Sequence, residues 1–541
     1  MAAVGASTGD RAGAAGAVLL TLAAGQFLMT LDSSVMNVSI ATVAKDVGTT
    51  VTGIQTAITL YTLVMAALMI TGGKIGQLVG HKRAFGIGCV IYGAGSFITA
   101  ISPSLPVLIV GWSFLEGIGA ALILPAIVAL VAANFQRAAR PRAYGLVASA
   151  GAIAVAAGPL IGGLFTTYAS WRWVFVGEVL IVLVILALTR RMAGSVPEER
   201  TPLDVGGTVL SALGLGLIVF GILRAGAWGF VQPKPGAPQW LGLSPSIWLL
   251  LGGGVVLLGF VGWENHRIAH GREPLINPRM LLNPTLRGGL TSFFFQYLLQ
   301  AGLFFTVPLF LSVALGLSAI ATGVRLLPLS VTLLLAAVGV PKLFPTVSPR
   351  RIVRLGFLAL LAGIVVMVGA LDAGAGAEIV TWPMLLAGLG VGALASQLGA
   401  ITVSSVPDEQ SGEVGGLQNT LTNLGASIGT ALAGAVLIAT LTSSFLTGIQ
   451  NNPAVPATVK SEATTKLSGG VPFISDADLK AALDQAGVSA DAADAIVKEN
   501  STARLEALRS SLSVLALIAL VAAILTFGIP DAPTAAEPAP P

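Results

Sequence analysis

The sequence predicts an all-α integral membrane protein with fourteen membrane-spanning helices, arranged as six, two and six. The composition, a series of long apolar runs and an internal repeat predict this fold class. Of the 541 residues, 55% are hydrophobic and only 10% are charged, whereas about a quarter of the residues of a soluble globular protein are charged. The composition therefore excludes a soluble chain.

The apolar runs are long enough to cross a bilayer, which takes about 20 residues per helix. The first run ends without a small-residue cleavage site, so we interpret it as a span and not as a signal peptide. The predicted spans are 17–42, 52–71, 85–101, 106–132, 143–166, 172–189, 205–224, 246–265, 288–314, 320–341, 355–371, 381–404, 414–446 and 510–529.

A repeated basic loop indicates that the chain consists of two related halves. The loop after the second span, residues 73–83, contains Gly73, Lys74, Gly76, Gly80, Lys82 and Arg83. We expect this loop to be a cytoplasmic gate, in which glycines allow a tight turn and basic residues pair with helix ends and anionic lipid. The loop after the tenth span places Lys342, Arg350 and Arg351 at the positions 268 residues after Lys74, Lys82 and Arg83. Two six-helix halves related in this way predict a parallel-repeat transporter, with its site between the halves near the membrane midplane. Chance similarity of two basic loops is the alternative.

The repeat divides the chain into an N-terminal half (1–190), a linker with two extra spans (191–286) and a C-terminal half (287–530). The C-terminal half includes a polar segment, 447–509, which we expect outside the membrane. A helix start at Ser475 and Asp476 predicts a small helical cap or partner-binding element there, although an inert spacer is an equal alternative. We expect the tail 531–541, which is rich in Pro and Ala, to be disordered and cytoplasmic.

Charge distribution predicts the orientation and excludes several partners. Most Lys and Arg residues outside the polar segment fall in alternate loops, which places both termini in the cytoplasm of a bacterial inner membrane. The basic residues are scattered, which excludes a nucleic-acid interface. With Cys89 as the single cysteine and three histidines in charged segments, we expect no metal site and no cofactor.

Four ionisable residues stand out within predicted spans: Asp32, Glu116, Glu178 and Arg325. Each costs roughly 2.5–3.5 kcal/mol on insertion scales, so each is a candidate functional residue. We expect Asp32 and Glu116 near the midplane, and Glu178 and Arg325 nearer the outer face. Removal from water favours the protonated form of a carboxyl group, which is the requirement for coupling transport to a proton gradient. An acidic, apolar cavity also suits a lipophilic cation.

Structural roles are open for each of these residues. Asn37 is a further candidate for the proton-coupling or substrate site, although Asp32 could instead be only a packing residue that is hydrogen-bonded with Asn37. Glu116 could pair across a helix contact. Glu178 could bond Arg172, while Arg325 could extend to the outer surface.

The fifth predicted span contains Gly158, Pro159, Gly162 and Gly163. Proline kinks a helix, and a glycine face lets a neighbouring helix approach closely in the membrane. The pattern predicts a bent helix packed tightly on a partner, although ordinary small-residue packing is the alternative.

Taken together, these motifs resemble the fourteen-helix drug/proton antiporter family of the major facilitator superfamily, over essentially the full chain. The resemblance rests on residues 31–38, the loop 73–83, residues 115–121 with Pro125, the Gly158–Gly163 motif and residues 171–175. The family implies a major facilitator fold and export of hydrophobic, often cationic compounds in exchange for protons by alternating access of the two halves.

The chain departs from the family pattern at charged positions. Gln77 and Leu78 stand where the loop motif has Asp and Arg, and Ser113 stands where the fourth span has Arg. Glu116 and Glu178 occupy positions that hold Gln and Asn in the family. We therefore expect the coupling charges to lie on carboxylates, with Arg325 as a counter-charge from the other half.

The sequence favours a proton-coupled exporter of hydrophobic, cationic drugs or similar amphiphiles, acting as a monomer. Its expected partners are a small-molecule substrate, protons and the lipid bilayer. Export of one dedicated metabolite, lipid or siderophore is the alternative, and a membrane receptor or scaffold that uses segment 447–509 is a third hypothesis. An enzyme is disfavoured, because no catalytic set of residues is evident within the spans.

Overall fold

The computed structural model describes residues 8–135, 140–190, 192, 203–234, 236–372, 374–406, 411–467, 470–529 and 531. These residues form helices joined by short connections, without a β-sheet among them. Within these described ranges, thirteen helices are long and apolar enough to cross a membrane, and a helix bent by 43° brings the number to 14. The predicted all-α membrane fold is confirmed. The expected disorder of the tail 531–541 concerns residues that, except for Asp531, lie outside the described part.

The helices follow the predicted order of six, two and six. The N-terminal half comprises α1 (Thr8–Asp46), α2 (Val51–Val79), α3 (His81–Ala100), α4 (Leu105–Leu108, continued by Ile109–Glu116 and Gly117–Asn134), α5 (Arg140–Tyr168) and α6 (Arg172–Thr189). The linker contains α7 (Val205–Trp228) and α8 (Pro245–Ala269). The C-terminal half comprises α9 (Pro284–Leu309, continued by Phe310–Ala314), α10 (Ala319–Leu343), α11 (Pro349–Ala370), α12 (Thr381–Ser404), α13 (Ser411–Asn451), α14 (Ala457–Leu467), α15 (Asp476–Gln485) and α16 (Ala490–Ile524).

Local sequence signals explain where these helices begin and bend. Several start at a side chain that accepts a hydrogen bond from a backbone N–H of the first turn, which satisfies a donor that the helix itself cannot. These side chains are Thr50, Asp204, Ser244, Asn283, Ser318 and Ser475. The bend in α5 lies between Val155 and Ala157, within one turn before Pro159, as a proline kink requires.

The two halves repeat one packing scheme. In the N-terminal half α1 packs on α5 and α3 on α6, and the C-terminal half pairs α9 with α13 and α11 with α16. The two basic loops also make equivalent contacts. Lys82 donates hydrogen bonds to the carbonyls of Met192 (2.6 Å) and Arg190 (3.4 Å) at the end of α6. Arg350 pairs with Asp531, 2.7 Å away, beyond the end of α16. Each loop therefore holds the sixth helix of its own half.

The halves meet along two seams, α5 with α10 and α2 with α13. We call the membrane face with the loop 73–83 the loop face and the opposite one the far face. Hydrogen bonds between the halves lie toward the far face: Gln55 Nε2 donates to the Thr430 carbonyl (3.0 Å), and Ser427 Oγ donates to that of Thr59 (2.9 Å). The structure is thus held together at its far face.

Linker helix α7 covers the α2–α13 seam, and α8 packs on α7. Near the loop face, the hydroxyls of Thr71 in α2 and Thr208 in α7 lie 3.0 Å apart. Toward the other end of α7, Gly226 packs on the backbone of Ala435 in α13, where a Cβ would lie 2.9 Å from the Ala435 Cα. Helix α7 therefore contacts both halves, in addition to the connection that the linker makes between them.

The polar segment 447–509 folds into helices, as the start at Ser475 predicts. The last helix begins 20 residues before the predicted span 510–529, because its polar turns pack on α13 and α15. Arg504 is 1% exposed and donates to the Ile474 carbonyl (2.7 Å) and to Asp476 (2.5 Å). A buried, bonded arginine is not expected in an inert spacer. The segment is a folded cap on the C-terminal half, and a role in partner binding stays a prediction.

Candidate functional site

The three acidic residues predicted within spans converge inside the N-terminal half. Asp32 lies in α1, Glu116 at the end of the middle part of α4, and Glu178 in α6. One carboxylate oxygen of each lies within 4.8 Å of those of the other two. Asp32 and Glu116 are fully buried and Glu178 is 1% exposed. Glu178 was expected nearer the outer face, yet it belongs to the same site. We call this group the carboxylate cluster.

Trp112 fixes the orientation of Asp32. Its indole Nε1–H donates to both carboxylate oxygens, at 2.7 and 2.9 Å. The ring stacks on Tyr61, with centroids 5.1 Å apart and an angle of 8° between the planes. Trp112 and Glu116 both belong to the segment Ile109–Glu116, which is a π-helix. Such wide turns are rare and occur often at functional sites.

Helix α3 supplies the hydroxyl groups of the cluster from one of its faces. Tyr92 and Ser96 donate to Glu178 Oε2, at 3.3 and 3.1 Å. Thr99 donates to Glu116 Oε1 at 3.2 Å. Residues 92, 96 and 99 are spaced by one helical turn, so they face the same neighbours. Each carboxylate therefore has hydrogen-bond donors from neighbouring helices.

The carboxylate cluster has no basic partner in the described part of the chain. The ion pairs of the structure involve other acids, including Asp46 with Arg172 at 3.3 Å. Glu178 is therefore not the partner of Arg172, and Arg325 is partly exposed on α10 without an ion pair to the cluster. Within the described residues, Glu116 Oε2 and Glu178 Oε1 are buried without a hydrogen bond. Chemically, such a group can share protons or surround a small cation.

Asn37 faces away from the carboxylate cluster. Its Nδ2 donates to the Ser33 carbonyl at 2.8 Å, so it is not a partner of Asp32. With Ser34 and Val38 it lines a narrow cleft between the two halves. The other lining residues are Pro159 of α5, Phe304 and Pro308 of α9, and Leu326 of α10. We call this space the interhalf cleft.

The glycines of α5 lie beside this cleft. A Cβ on Gly162 would lie 2.9 Å from the Val35 Cα, and one on Gly163 would lie 2.6 Å from the Ala319 carbonyl oxygen. Gly158 packs on Ser34 equally closely. Gly158 and Gly162 thus seat α5 on α1, while Gly163 seats it on α10 of the other half. The close helix contact predicted for this motif is present.

The loop 73–83 forms a tight turn at the loop face. Gly80 has a φ of 91°, a left-handed conformation that glycine adopts readily, and Gly76 packs against His81. Lys74 pairs with Glu273 of the linker at 3.4 Å. Gly73 lies opposite Pro125 of α4, and Arg83 is exposed. Lys82 bonds helix-end carbonyls, as expected for the basic residues of this loop.

Comparison with known proteins decides the family. The family model described as Major Facilitator Superfamily matches residues 22–430. The chain belongs to the major facilitator superfamily. It is therefore a multi-pass membrane transporter and not an enzyme, and a small-molecule substrate is implied.

Curated relatives within this superfamily cover most of the chain. A tetracenomycin C resistance and export protein of Streptomyces glaucescens is 28% identical over 77% of this chain and 75% of its own length. A puromycin resistance protein of Streptomyces alboniger is 28% identical over 81% of this chain and 84% of its own length. A cephamycin export protein of Amycolatopsis lactamdurans is 28% identical over 75% and 82%, respectively.

Solved structures support the major facilitator fold. A bacterial homologue of the human lysosomal transporter Spinster, in an inward-facing unoccupied conformation, aligns with a TM-score of 0.60 at 14% identity. It covers 95% of this chain and 98% of its own. A peptide transporter of the POT family aligns with a TM-score of 0.55 at 16% identity, over 92% and 96% of the two chains.

Sequence reasoning missed the aromatic and hydroxyl residues that surround the carboxylate cluster: Trp112, Tyr61, Tyr92, Ser96 and Thr99. A signal was present in α3, because polar residues at one-turn spacing within an apolar span predict a polar helix face. Trp112 carried no such signal, since tryptophan is common in membrane helices.

Proposed function

We propose that this chain is a proton-coupled efflux transporter of hydrophobic drugs or similar amphiphiles, working by alternating access. The carboxylate cluster carries the proposal. It is an acidic group inside a membrane domain, without a basic partner in the described residues. Its residues would take up protons from one side of the membrane and release them to the other. Proton entry would supply the energy for substrate exit.

Electrostatics support a proton-binding role. Two unit charges about 4 Å apart repel by about 4 kcal/mol at an effective dielectric constant of about 20. Three carboxylates within 4.8 Å of one another are therefore unfavourable when all are ionised. Protons shared among the three carboxylates relieve the repulsion. Hydrogen bonds from Trp112 and Thr99 can stabilise the negative charge on a carboxylate that stays ionised. The number of protons bound to the carboxylate cluster would then depend on the side of the membrane from which water reaches it.

The direction of transport is inferred from relatives. Several relatives are named for resistance to a compound or for its export, tetracenomycin C and cephamycin among them, which supports efflux for this chain. Each of those names specifies one compound. A dedicated exporter of one metabolite is therefore the second candidate function. The sequence favours cationic amphiphiles, since acidic groups attract them.

The charge distribution supports a bacterial inner-membrane location with both termini in the cytoplasm. In that orientation the loop face is cytoplasmic, and the hydrogen bonds at the far face close the periplasmic or external side. The described structure would then be closed to the outside. A monomer suffices, because both halves of the proposed transport path lie in one chain.

Transport in inverted membrane vesicles tests proton coupling. A panel of uncharged and cationic aromatic amphiphiles would be followed under an imposed pH gradient, with wild type beside Asp32→Asn, Glu116→Gln and Glu178→Gln. Glu506→Gln, an exposed carboxylate on α16, is the matched control. We expect gradient-driven transport in wild type and in the control, and its loss in at least Asp32→Asn and Glu116→Gln.

Two outcomes would contradict the proposal. If a sodium gradient but not a pH gradient drove wild-type transport, the carboxylate cluster would bind a metal cation instead of protons. Unchanged transport in all three variants would remove the cluster from the mechanism. Loss of function only after deletion of 447–504 would instead favour the receptor or scaffold hypothesis.

A further inference from the structure

Helix α1 separates two chemically different sites. Asp32 points into the N-terminal half, toward Trp112 of α4, and is fully buried there. Ser34 and Asn37 line the interhalf cleft on another side of the same helix. In an α-helix, residues two and five positions on are rotated by more than a third of a turn from residue 32. The acidic residues and the cleft are therefore on different faces of α1.

The interhalf cleft is lined without an ionisable side chain. Its polar groups are the hydroxyl of Ser34 and the amide of Asn37, and its remaining walls are apolar. The cleft is too narrow for a water molecule in this conformation, so a substrate can enter only after the halves move apart.

Asn37 offers a hydrogen-bond acceptor to a ligand. Its Nδ2 is engaged by the Ser33 carbonyl, while no donor among the described residues reaches its Oδ1. A hydroxyl or N–H group of an uncharged molecule could donate to that oxygen, and Phe304 offers an aromatic surface beside it. A cation placed here would be desolvated without a counter-charge, which is costly. The cleft therefore fits an uncharged aromatic amphiphile better than the cation that the sequence favours.

We propose that the transported substrate is uncharged, that Asn37 selects for it in the interhalf cleft, and that each cycle therefore moves net charge across the membrane. The inference rests on the proton coupling proposed above. If protons enter at the carboxylate cluster and an uncharged molecule leaves, no charge on the substrate compensates the protons. Transport then responds to the membrane potential as well as to the pH gradient.

Isosteric probe pairs test this inference in proteoliposomes that contain the full chain. Each pair would consist of an aromatic amphiphile with a tert-butyl group and its trimethylammonium isostere, which differ only in charge. Uptake would be driven by a pH gradient at zero potential, and then by a tenfold potassium gradient with valinomycin at equal pH. With potassium outside, the interior becomes positive, which expels protons and drives substrate uptake.

We expect uptake of the uncharged member of each pair under both gradients, and at least tenfold slower uptake of the cation. Asn37→Asp places a carboxylate in the cleft with almost no change of shape. It should reverse the preference and lower the Kd of the trimethylammonium probe by about tenfold. Asn451→Asp, at the exposed end of α13, is the matched control and should change neither. Asn37→Ser replaces the amide by an uncharged hydroxyl and checks that loss of the amide alone does not create cation binding.

Failure of this inference and failure of the proposed function would give different results. Equal or faster transport of the trimethylammonium probes by wild type would overturn the uncharged-substrate inference and leave proton coupling intact. Transport of the uncharged probes by the pH gradient but not by the potential would overturn the predicted charge movement. If neither class were driven by the pH gradient, the proposed function itself would be wrong.

Discussion

The α3–α4 contact of the N-terminal half and the α11–α12 contact of the C-terminal half have the same geometry but different side chains. In the N-terminal half, Gly88 packs on the backbone of Gly119, where a Cβ would lie 2.9 Å from the Gly119 carbonyl oxygen. About two helical turns further along α3, Gly95 packs on Glu116, with a Cβ placed 2.8 Å from its backbone nitrogen. Two glycines thus let α4 approach α3 at the level of the carboxylate cluster.

The C-terminal half repeats this contact. Gly356 packs on Gly390, at 3.0 Å from the carbonyl oxygen, and Gly363 packs on Ala387, at 3.0 Å from the backbone nitrogen. Gly356 and Gly363 lie 268 residues after the corresponding glycines of α3, the same separation as the basic loops. Ala387 therefore takes the place of Glu116.

The neighbouring residues of α3 and α11 differ in the same way. Tyr92, Ser96 and Thr99 donate hydrogen bonds to the cluster. The residues 268 positions later are apolar and no more than 1% exposed: Leu360, Ile364 and Met367. The same helix packing is thus stable with either polar or apolar side chains at these buried positions. Because buried polar groups add less stability than apolar ones, folding alone does not account for the polar side chains of the N-terminal half, and this supports the functional role proposed above.

The largest expected effect on transport comes from replacing polar cluster residues of the N-terminal half by the apolar residues at the equivalent positions of the C-terminal half. Thr99→Met with Glu116→Ala removes both partners of one buried hydrogen bond and installs the pair found at Met367 and Ala387. Replacing both partners of a buried hydrogen bond by apolar groups can be nearly neutral or stabilising. We expect proton-driven transport to be abolished while the thermal unfolding temperature in detergent stays equal or rises.

The single variant Thr99→Met is the control for this exchange. It leaves Glu116 Oε1 buried without its donor, which costs about 1–3 kcal/mol, so its melting temperature should fall below that of the double variant. A double variant that unfolds during purification would show that the cluster is structural.

The reverse exchange is expected to have a smaller effect, on stability alone. Met367→Thr with Ala387→Glu places a carboxyl group in the apolar interior of the C-terminal half. An uncompensated buried charge costs about 3–5 kcal/mol, and the Thr hydroxyl offsets only part of it. Thermal unfolding at several pH values measures this. A variant as stable as wild type at every pH would mean that the two interiors are not as different as their side chains suggest.

The smallest effect is expected where the two halves are alike. Lys82→Ala and Arg350→Ala each release the end of a sixth helix at the loop face, from Met192 or from Asp531. Partly exposed charged hydrogen bonds contribute about 1 kcal/mol, so both variants should lose similar, small amounts of stability. Arg83→Ala, on the same loop but exposed, is the control. A large loss in one half alone would break the proposed equivalence of the loops.

The sequence predicts most of the fold because hydropathy and helix signals are local. Fourteen apolar runs, the bend near Pro159, the repeated basic loops and the helix start at Ser475 all appear in the structure. The start of α16 at Ala490 was missed, since its first turns are polar and are stabilised by contacts of Arg504 that no local pattern shows.

The candidate site was only partly predictable. Asp32, Glu116 and Glu178 stood out because charge within a span is costly, but their convergence depends on how α1, α4 and α6 pack. The separation of Asn37 from Asp32 likewise depends on which side of α1 each neighbour occupies. Arg325 was expected to be a counter-charge from sequence alone, and the structure gives it no ion pair with the cluster.

Infrared difference spectroscopy on the purified, full-length protein tests the central claim most directly. The carbonyl-stretch band of protonated carboxyl groups would be followed as an uncharged aromatic substrate is added at constant pH, in wild type, Glu116→Gln and Glu506→Gln. We predict that substrate binding removes protonated-carboxyl intensity in wild type and in Glu506→Gln, with proton release to the buffer, and that Glu116→Gln loses this signal. A substrate-induced signal that is identical in all three proteins would contradict a proton site at the carboxylate cluster.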